Sequence, residues 1–334
     1  MISKEDIAVV DEEDMLGSIS TLRNQISKGL KLAKDIRILD EIDNVIVAGM
    51  GGSALPGEVL KSLLLDSKVK ITVVKDYKLP EWANKKTLVF AISYSGNTEE
   101  TLHSFRDAMK KSCKIVAISS GGKLKEAAEK QNVPYIEIPK PFPEFQPRAA
   151  LGYLFFSMLG VLMRSRIVPD ITPDIVRLEN SLNADKFKDK AENLAEQLVD
   201  KIPIIYASEK LYAAAYKWKI AFNENAKTHA FCNVYPEANH NEINAYVNLK
   251  GDFHVIMLTN DNDHPQVRKR FRITKTLYKK RGANVTEIAV KGQSLLAKLF
   301  TAILIGDLVA FYLAVKYKTD PTPVKMVEDL KKEL

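Results

Sequence analysis

The chain is poor in cysteine and histidine, and this limits the chemistry that it can carry. Cys113 and Cys232 are the two cysteines among 334 residues, and they lie far apart without a Cys-x-x-Cys spacing. That usage argues against a disulfide framework or a thiolate metal site, and it favours a reducing compartment. The five histidines form no catalytic-zinc spacing with cysteine or aspartate, so we expect no metal.

The sequence also lacks a signal-peptide pattern and a clear membrane span. Residues 1–15 carry six acidic side chains and no apolar run, which predicts a cytoplasmic protein. The apolar run at 150–163 is too short to cross a bilayer. The run at 295–315 is long enough, but Lys298 and Asp307 interrupt it. We therefore interpret both runs as buried helices.

The charge balance is basic, with a net charge of +7 and 27% charged residues, and this suits anionic ligands without naming one. The densest cationic segment, residues 268–281, contains no acidic side chain. A nucleic-acid face is one interpretation of such a segment. The simpler one is a solvent-exposed helix face, so no nucleic-acid partner is expected.

Two loops rich in serine and glycine follow apolar strand-like runs and precede helical patterns. The first is residues 49–53, after the run 44–48, and the second is residues 93–101, after the run 87–92. A parallel strand that enters a helix through such a turn leaves unpaired backbone N–H groups, and the helix dipole adds positive potential at the same point. Both loops therefore predict an anion site.

The side chains of these loops favour a compact phosphate group. Their candidate hydroxyl donors are Ser53, Ser93, Ser95 and Thr98. Serine, glycine and asparagine are also ordinary turn residues, so one such loop alone would prove little. Two of them at strand ends in the same half of the chain, where doubly wound folds bind ligands, favour a phosphate or phosphosugar site.

A dinucleotide site is the alternative interpretation of the first loop. Gly49, Gly51 and Ala54 match the G-x-G-x-x-G/A fingerprint, and Asp76 would be the ribose acid. The match is weak because the second loop plays no part in it. A nicotinamide enzyme therefore stays a minority hypothesis.

Strand-like and helical patterns alternate through the whole chain, which predicts an α/β fold with two doubly wound, flavodoxin-like parallel sheets. Strands are predicted at 45–48, 71–74, 88–92, 115–119, 135–138, 204–207, 254–258 and 285–289. Further helices are predicted at 14–34 and 174–200. The expected domains are residues 1–165 and 166–334, with the phosphate loops in the first.

The second half holds the candidates for acid–base chemistry. Glu224 lies in Asn-Glu-Asn-Ala-Lys at the end of a helical run, where the simple alternative is a surface carboxylate paired with Lys227. His240 lies among amides and carboxylates in a turn-like stretch, and an imidazole transfers protons near neutral pH. Its alternative is an ordinary loop histidine.

Two cations occupy unusual positions in their predicted helices. Arg148 opens an apolar helix, where a positive charge opposes the helix dipole, so it is a candidate for binding phosphate or an oxyanion. Lys331 lies on the apolar face of the C-terminal helix with Val324 and Val327. The alternative for Arg148 is a surface salt bridge. The alternative for Lys331 is a side chain that extends along the apolar face to its edge, where the ammonium reaches water.

Taken together, these motifs resemble those of the bifunctional phosphoglucose/phosphomannose isomerases of the sugar isomerase (SIS) domain superfamily. The resemblance runs from about residue 40 to the end of the chain. The motifs that carry it are GMGGS (49–53), SYSGNTEET (93–101), PRAALGY (147–153), NENAK (223–227), EANHNEI (237–243) and DPTPV (320–324).

The resemblance implies two SIS-type domains and roles for particular residues. It implies that Glu224 transfers a proton between C1 and C2, that Arg148 stabilises a cis-enediolate, and that His240 opens the sugar ring in the partner subunit of a homodimer. It also implies that Lys331 assists ring opening and that Thr322 gives room for both C2 epimers. The residues implied to bind the phosphosugar are Gly52, Ser53, Ser93, Ser95, Thr98 and Thr322.

Isomerisation of this kind needs a carboxylate, a ring-opening group and a charge near the enediolate, so no metal or redox cofactor is expected. A non-catalytic SIS sensor would bind the same phosphosugar without depending on Glu224 and His240. A nicotinamide dehydrogenase is the third possibility. Neither alternative accounts for all the motifs.

Overall fold

The computed structural model describes residues 2–333 and divides into two compact units. The first unit is Thr21–Leu182. The second unit combines the chain up to Ser20 with the chain from Asn183 onward. This division differs from the predicted boundary after residue 165.

Helices and strands alternate in both units. The helices are α1 Lys4–Val10, α2 Met15–Ser20, α3 Leu22–Leu32, α4 Leu55–Leu63, α5 Glu99–Lys110, α6 Gly122–Lys130, α7 Leu151–Arg164, α8 Thr172–Ser181, α9 Lys188–Leu198, α10 Tyr212–Glu224, α11 Pro265–Lys280, α12 Leu295–Lys316 and α13 Lys325–Glu333. The strands are β1 Asn44–Ala48, β2 Lys70–Val74, β3 Thr87–Ile92, β4 Lys114–Ser119, β5 Tyr135–Glu137, β6 Ile202–Ser208, β7 Phe231–Tyr235, β8 Phe253–Thr259 and β9 Asn284–Ala289.

The sheet of the first unit is parallel throughout, in the order β2-β1-β3-β4-β5. This is the flavodoxin-like order, and the direction of winding changes between β1 and β3. The central strand β3 is buried along its whole length, as its continuous apolar run requires. Ala48 pairs with Ala91, so the loops that follow β1 and β3 leave the sheet side by side.

The sheet of the second unit is also parallel, in the order β7-β6-β8-β9. The predicted fold class, α/β with two doubly wound parallel sheets, is confirmed. The sequence analysis missed β7, a five-residue edge strand in which Cys232 and Asn233 interrupt the apolar pattern. Its pairing with β6 supplies the hydrogen bonds that its local composition does not predict.

Two of the predicted helices span the division between the units. The helix predicted at 174–200 is α8 and α9, with a break at Leu182 and Asn183. The helix predicted at 14–34 is α2 and α3. In each case one helix packs within the first unit, on α3 or α7, and the other packs on α12 in the second. Helical periodicity reveals an apolar face, but it does not reveal which core buries that face.

The most apolar helix, α12, forms the centre of the second unit. It is long and apolar enough to cross a membrane, and 94% of its most apolar window is buried within the protein. The two charged side chains within its apolar stretch, Lys298 and Asp307, have internal partners, since Lys298 Nζ lies 2.8 Å from Asn260 Oδ1 and Asp307 pairs with Lys217. It contacts α9 and α10 along its length, so it packs as a core helix.

Candidate functional site

The first and second serine-rich loops are hydrogen-bonded to each other in the first unit. The backbone N–H of Tyr94 donates to Ser53 Oγ at 3.1 Å. Ser53 is buried, and its hydroxyl keeps a proton that it can donate. Burial raises the pKa of the neighbouring Tyr94 phenol, so this side chain stays neutral. The predicted proximity of the two loops is therefore observed.

The second loop folds around Ser93. Its Oγ accepts the backbone N–H groups of Gly96 at 3.1 Å and Thr98 at 3.3 Å, and it lies 2.8 Å from Thr98 Oγ1. Ser93 is fully buried, whereas Ser95 is exposed. Thr98 is the N-cap of α5, so the free N–H groups of the first helical turn lie next to it. Ser93 thus holds the loop together, while Ser95 and Thr98 lie nearer to solvent.

A third loop, which the sequence analysis did not single out, supports the second. It follows β4 and contains Ser120, Gly121 and Gly122. Ser120 Oγ donates to the carbonyl of Tyr94 at 2.5 Å. A Cβ atom on Gly96 would lie 1.8 Å from the Gly121 carbonyl oxygen, so a glycine is required there. The Ser-Ser-Gly-Gly-Lys pattern between β4 and α6 was the signal that could have revealed this loop.

Arg148 lies against the first loop. It belongs to the 3-10 turn Pro147–Ala149 that precedes α7, and it is 3% exposed. A Cβ atom on Gly52 would lie 3.0 Å from the backbone nitrogen of Arg148. The turn and the first loop therefore pack backbone to backbone, and the buried Arg148 side chain donates from Nη1 to Gln146 Oε1 at 3.3 Å.

Gln25, on α3, holds this turn in place and was not predicted. Its Nε2 donates to the carbonyl of Ala149 at 2.8 Å, and its Oε1 accepts the N–H of Tyr153 at 3.2 Å. Gln25 is fully buried. No local pattern reveals this role, because Ala149 and Tyr153 lie more than 120 residues away from Gln25.

In the second unit, the structure brings the segment of Thr322 to the end of α10. Glu224 is the last residue of α10 and is half-buried. Lys227 Nζ donates to the Glu224 carbonyl at 2.5 Å and to the Pro321 carbonyl at 3.1 Å. Thr322 follows directly and is 1% exposed. Lys227 therefore links two predicted motifs that are almost 100 residues apart, and its ammonium also suits the negative end of the α10 dipole.

His240 is presented at the surface by a well-anchored segment. It ends the 3-10 turn Glu237–Asn239 and is exposed. Asn239 Nδ2, just before it, donates to Thr274 Oγ1 at 3.0 Å. The Tyr206 hydroxyl donates to Glu242 Oε2, just after it, at 2.8 Å. The backbone around His240 is thus fixed while the imidazole reaches solvent.

Lys331 lies on α13, which exposes every one of its residues. The apolar face on which it was predicted is exposed as well, since Val327 is 46% and Leu330 is 60% exposed. Within residues 2–333, Lys331 forms no hydrogen bond or ion pair. The structure therefore does not bring Lys331 into contact with Glu224 or Thr322.

Each unit thus carries a different chemical capacity. The first brings together loop hydroxyls, backbone N–H groups and the turn of a buried arginine, as expected of an anion site, and the second presents a carboxylate and an imidazole. In the described part of the chain, no three His, Cys, Asp or Glu side chains cluster as metal ligands would.

Comparisons with known proteins identify the relatives of this chain. Residues 187–334 match the family model for the bacterial phospho-glucose isomerase C-terminal SIS domain. The chain is 40% identical to a bifunctional phosphoglucose/phosphomannose isomerase of Caldicellulosiruptor bescii, over 96% of this chain and 98% of that protein. It is 37% identical to a D-glucosamine-6-phosphate 4-epimerase of Sulfolobus acidocaldarius, over 66% of this chain and 70% of that protein.

A solved structure supports the fold. The tagatose-6-phosphate ketose/aldose isomerase of Escherichia coli matches with a TM-score of 0.69 at 15% identity, over 92% of this chain and 94% of that one. These findings do not favour the sensor or the dehydrogenase. The near-complete coverage of the Caldicellulosiruptor protein is decisive, and the chain belongs to the bifunctional phosphoglucose/phosphomannose isomerase family.

Proposed function

We propose that this protein interconverts glucose 6-phosphate and mannose 6-phosphate with fructose 6-phosphate. The observation that carries the proposal is the 40% identity, over almost the whole chain, to a relative with that name. The reaction moves one proton between C1 and C2 and involves no net oxidation. It therefore needs only side chains that open the ring, transfer the proton and stabilise the intermediate.

The phosphate group binds in the cradle of the first unit. Ser53, Ser95 and Thr98 donate their hydroxyl protons to it, and Ser93 keeps the second loop in the receptive conformation. Gly52 lets the phosphate approach the backbone, since a side chain there would press on the turn that holds Arg148. The hydrogen bond between Tyr94 and Ser53 supports this role by keeping the two loops in register.

Glu224 transfers the proton. Its carboxylate removes the proton from C2 of the open-chain aldose, which gives the cis-enediolate, and returns it to C1, while the hydroxyl proton of O2 moves to O1, so that the ketose forms. The guanidinium of Arg148 stabilises the charge that develops on the enediolate oxygens. The burial of Arg148 supports its role, because an electrostatic interaction is stronger where water is excluded.

Ring opening belongs to His240, assisted by Lys331. One group donates a proton to the ring oxygen while the C1 hydroxyl loses one, which yields the free aldehyde. We place His240 in the active site of the partner subunit of a homodimer, and the exposure of its imidazole on an anchored segment supports that placement. Thr322 lines the C2 pocket and allows both epimers. The reaction takes place in the cytoplasm and without a metal or redox cofactor.

The direct test is an assay of the EDTA-treated protein with fructose 6-phosphate, with glucose 6-phosphate and mannose 6-phosphate measured separately. We expect both products at comparable rates. Glucose 6-phosphate alone would contradict the assignment of Thr322 and the C2 pocket. Glucosamine 6-phosphate is assayed in parallel as an alternative substrate, because one relative is a D-glucosamine-6-phosphate 4-epimerase. Conversion of that substrate to its C4 epimer, without either hexose product, would overturn the proposal.

Gly52→Ala tests the phosphate cradle. The new Cβ would lie 3.0 Å from the Arg148 nitrogen, so either the loop or the turn must move by a few tenths of an ångström. We expect the KM for fructose 6-phosphate to rise about tenfold, which corresponds to about 1.4 kcal/mol of lost binding. Steady-state kinetics measure this change.

Gly160→Ala is the matched control. Gly160 lies on α7 of the same unit, and the three atoms nearest to its new Cβ would all belong to the guanidinium of Arg164, with Nη2 at 2.9 Å, rather than to a backbone segment. Its KM should stay within about twofold of the original value. If Gly52→Ala has no larger effect than Gly160→Ala, the first loop does not bind the substrate phosphate.

A further inference from the structure

A large cationic cleft in the second unit has no part in the proposed reaction. It lies beside α11, at the carboxyl ends of β8 and β9, and has a volume of about 840 Å³. That volume falls within the range of small-molecule sites. None of the residues proposed for isomerisation lines it. Ligands of open α/β sheets bind at the carboxyl ends of strands, so the cleft lies where this fold accommodates ligands.

The wall formed by α11 carries a row of cations along one side. Arg268, Arg272, Lys275 and Lys279 are spaced by four, three and four residues. At 100° per residue these four side chains fall within roughly 60° around the helix. At 1.5 Å per residue the row is roughly 16 Å long. Such a row matches an extended anion better than a single phosphate group.

The cleft holds more positive charge than its own carboxylates neutralise. Its six cationic side chains are Arg268, Arg272, Lys275, Lys279, Lys280 and Lys291. Two carboxylates line it, those of Asp261 and Glu287. Glu287 pairs with Lys275 at 2.7 Å, and Asp261 pairs with Lys298, which lies outside the cleft. Among residues 2–333, no carboxylate forms a salt bridge with the other five cations.

The rest of the cleft combines polar groups with the apolar side chains of Phe271, Ala289 and Val290. Glu287 Oε1 accepts the hydroxyl proton of Thr259 at 3.2 Å, and Ala289 and Lys291 continue the wall from the end of β9. The cleft differs in chemistry from the cradle of the first unit, which uses short hydroxyls and loop N–H groups. Long guanidinium and ammonium side chains on one helix suit several linked phosphates, each bound by one or two cations.

We propose that this cleft binds a ligand with a linear chain of phosphate groups, such as a nucleoside triphosphate or an inorganic polyphosphate. The row of cations on α11 contacts successive phosphates, and Lys291 contacts the chain from the β9 side. The binding goes beyond the isomerase reaction and does not depend on it.

Calorimetric titration of the whole protein with sodium tripolyphosphate, and separately with ATP, tests the proposal. Saturating fructose 6-phosphate is present, so that the phosphate cradle of the first unit is occupied. We expect binding of both, with an affinity that falls as salt increases. Tighter binding of ATP assigns the site to nucleotides, and equal binding assigns it to the phosphate chain alone.

Charge-reversal variants locate the binding. Arg268→Glu with Arg272→Glu should weaken tripolyphosphate binding at least about tenfold. The matched control is Lys269→Glu with Arg281→Glu, because both of these residues are exposed outside the cleft and the change in net charge is the same. The control should change the affinity less than about twofold. If the Arg268→Glu with Arg272→Glu variant does not fold, the Arg268→Gln with Arg272→Gln variant replaces it in the titration.

Three results would overturn the proposal. The first is no binding at low salt. The second is an equal loss in the control pair, which would mean diffuse attraction to a basic protein. The third is binding of tripolyphosphate only when fructose 6-phosphate is omitted from the titration, which would move the binding to the isomerase site. Tighter binding of a single-stranded RNA, weakened by the same Arg268 and Arg272 changes, would replace the small ligand with nucleic acid.

Discussion

Glu224→Gln is expected to reduce the turnover number of isomerisation roughly 10²- to 10⁴-fold, the usual contribution of a positioned general base. Glutamine has the same shape as glutamate but cannot take a proton from C2. The fold should persist, because Lys227 bonds the backbone carbonyl at this position and Pro321, neither of which the substitution changes. The KM for fructose 6-phosphate should change little, since the phosphate binds elsewhere.

Two measurements make this test specific. Exchange of the C1 hydrogen of fructose 6-phosphate with deuterated water should disappear together with turnover. Glu209→Gln is the control, because Glu209 is an exposed carboxylate just before α10. Its turnover should equal that of the unchanged protein. Near-normal turnover in Glu224→Gln would show that another group transfers the proton.

Complementation between inactive subunits should restore activity if His240 acts in the partner subunit. His240→Ala alone is expected to lose roughly 10²-fold in turnover, as expected for a lost proton-transfer group. A heterodimer of one Glu224→Gln chain and one His240→Ala chain would contain one site with both native residues. In a symmetric dimer, that arrangement predicts about half of the native turnover per dimer.

Co-expression of the two chains with different affinity tags allows the heterodimer to be purified and assayed. An inactive heterodimer would show that His240 acts in its own subunit, because each site would then contain one substitution. If light scattering showed that the fully active protein is a monomer, a site shared between subunits would be ruled out. His229→Ala is the matched control, since His229 is an exposed histidine of the same unit, and it should retain native turnover.

The two serine-glycine loops were predictable because their signal is local. An apolar strand, a serine-glycine loop and a helical pattern are adjacent in sequence, and each strand bound agrees with the structure to within a residue or two. The positions of Ser53 and Thr98 at the ends of β1 and β3 could therefore be predicted before any contact was known, and their role in binding an anion stays a prediction. The structure adds that Ser93 organises the second loop and that Ser120 supports it.

The contacts that join distant segments were not predictable in the same way. Gln25 holds the turn of Arg148 across more than 120 residues, and Lys227 links Glu224 to Pro321 across more than 90. Such contacts depend on which helix packs against which sheet. Helical periodicity carries no information about the partner, and for that reason the helices predicted at 14–34 and 174–200 each proved to be two helices in different units.

The sequence by itself determined the class of fold, the positions of the two serine-glycine loops and the family motifs around Glu224 and His240, because short-range patterns encode strands, turns and caps. Only the tertiary structure decided where the units divide, that β7 joins the second sheet, that Lys331 lies on an exposed helix and that the cations of α11 line a cleft. These features arise from packing between residues far apart in the chain, where burial and pairing outweigh local preference.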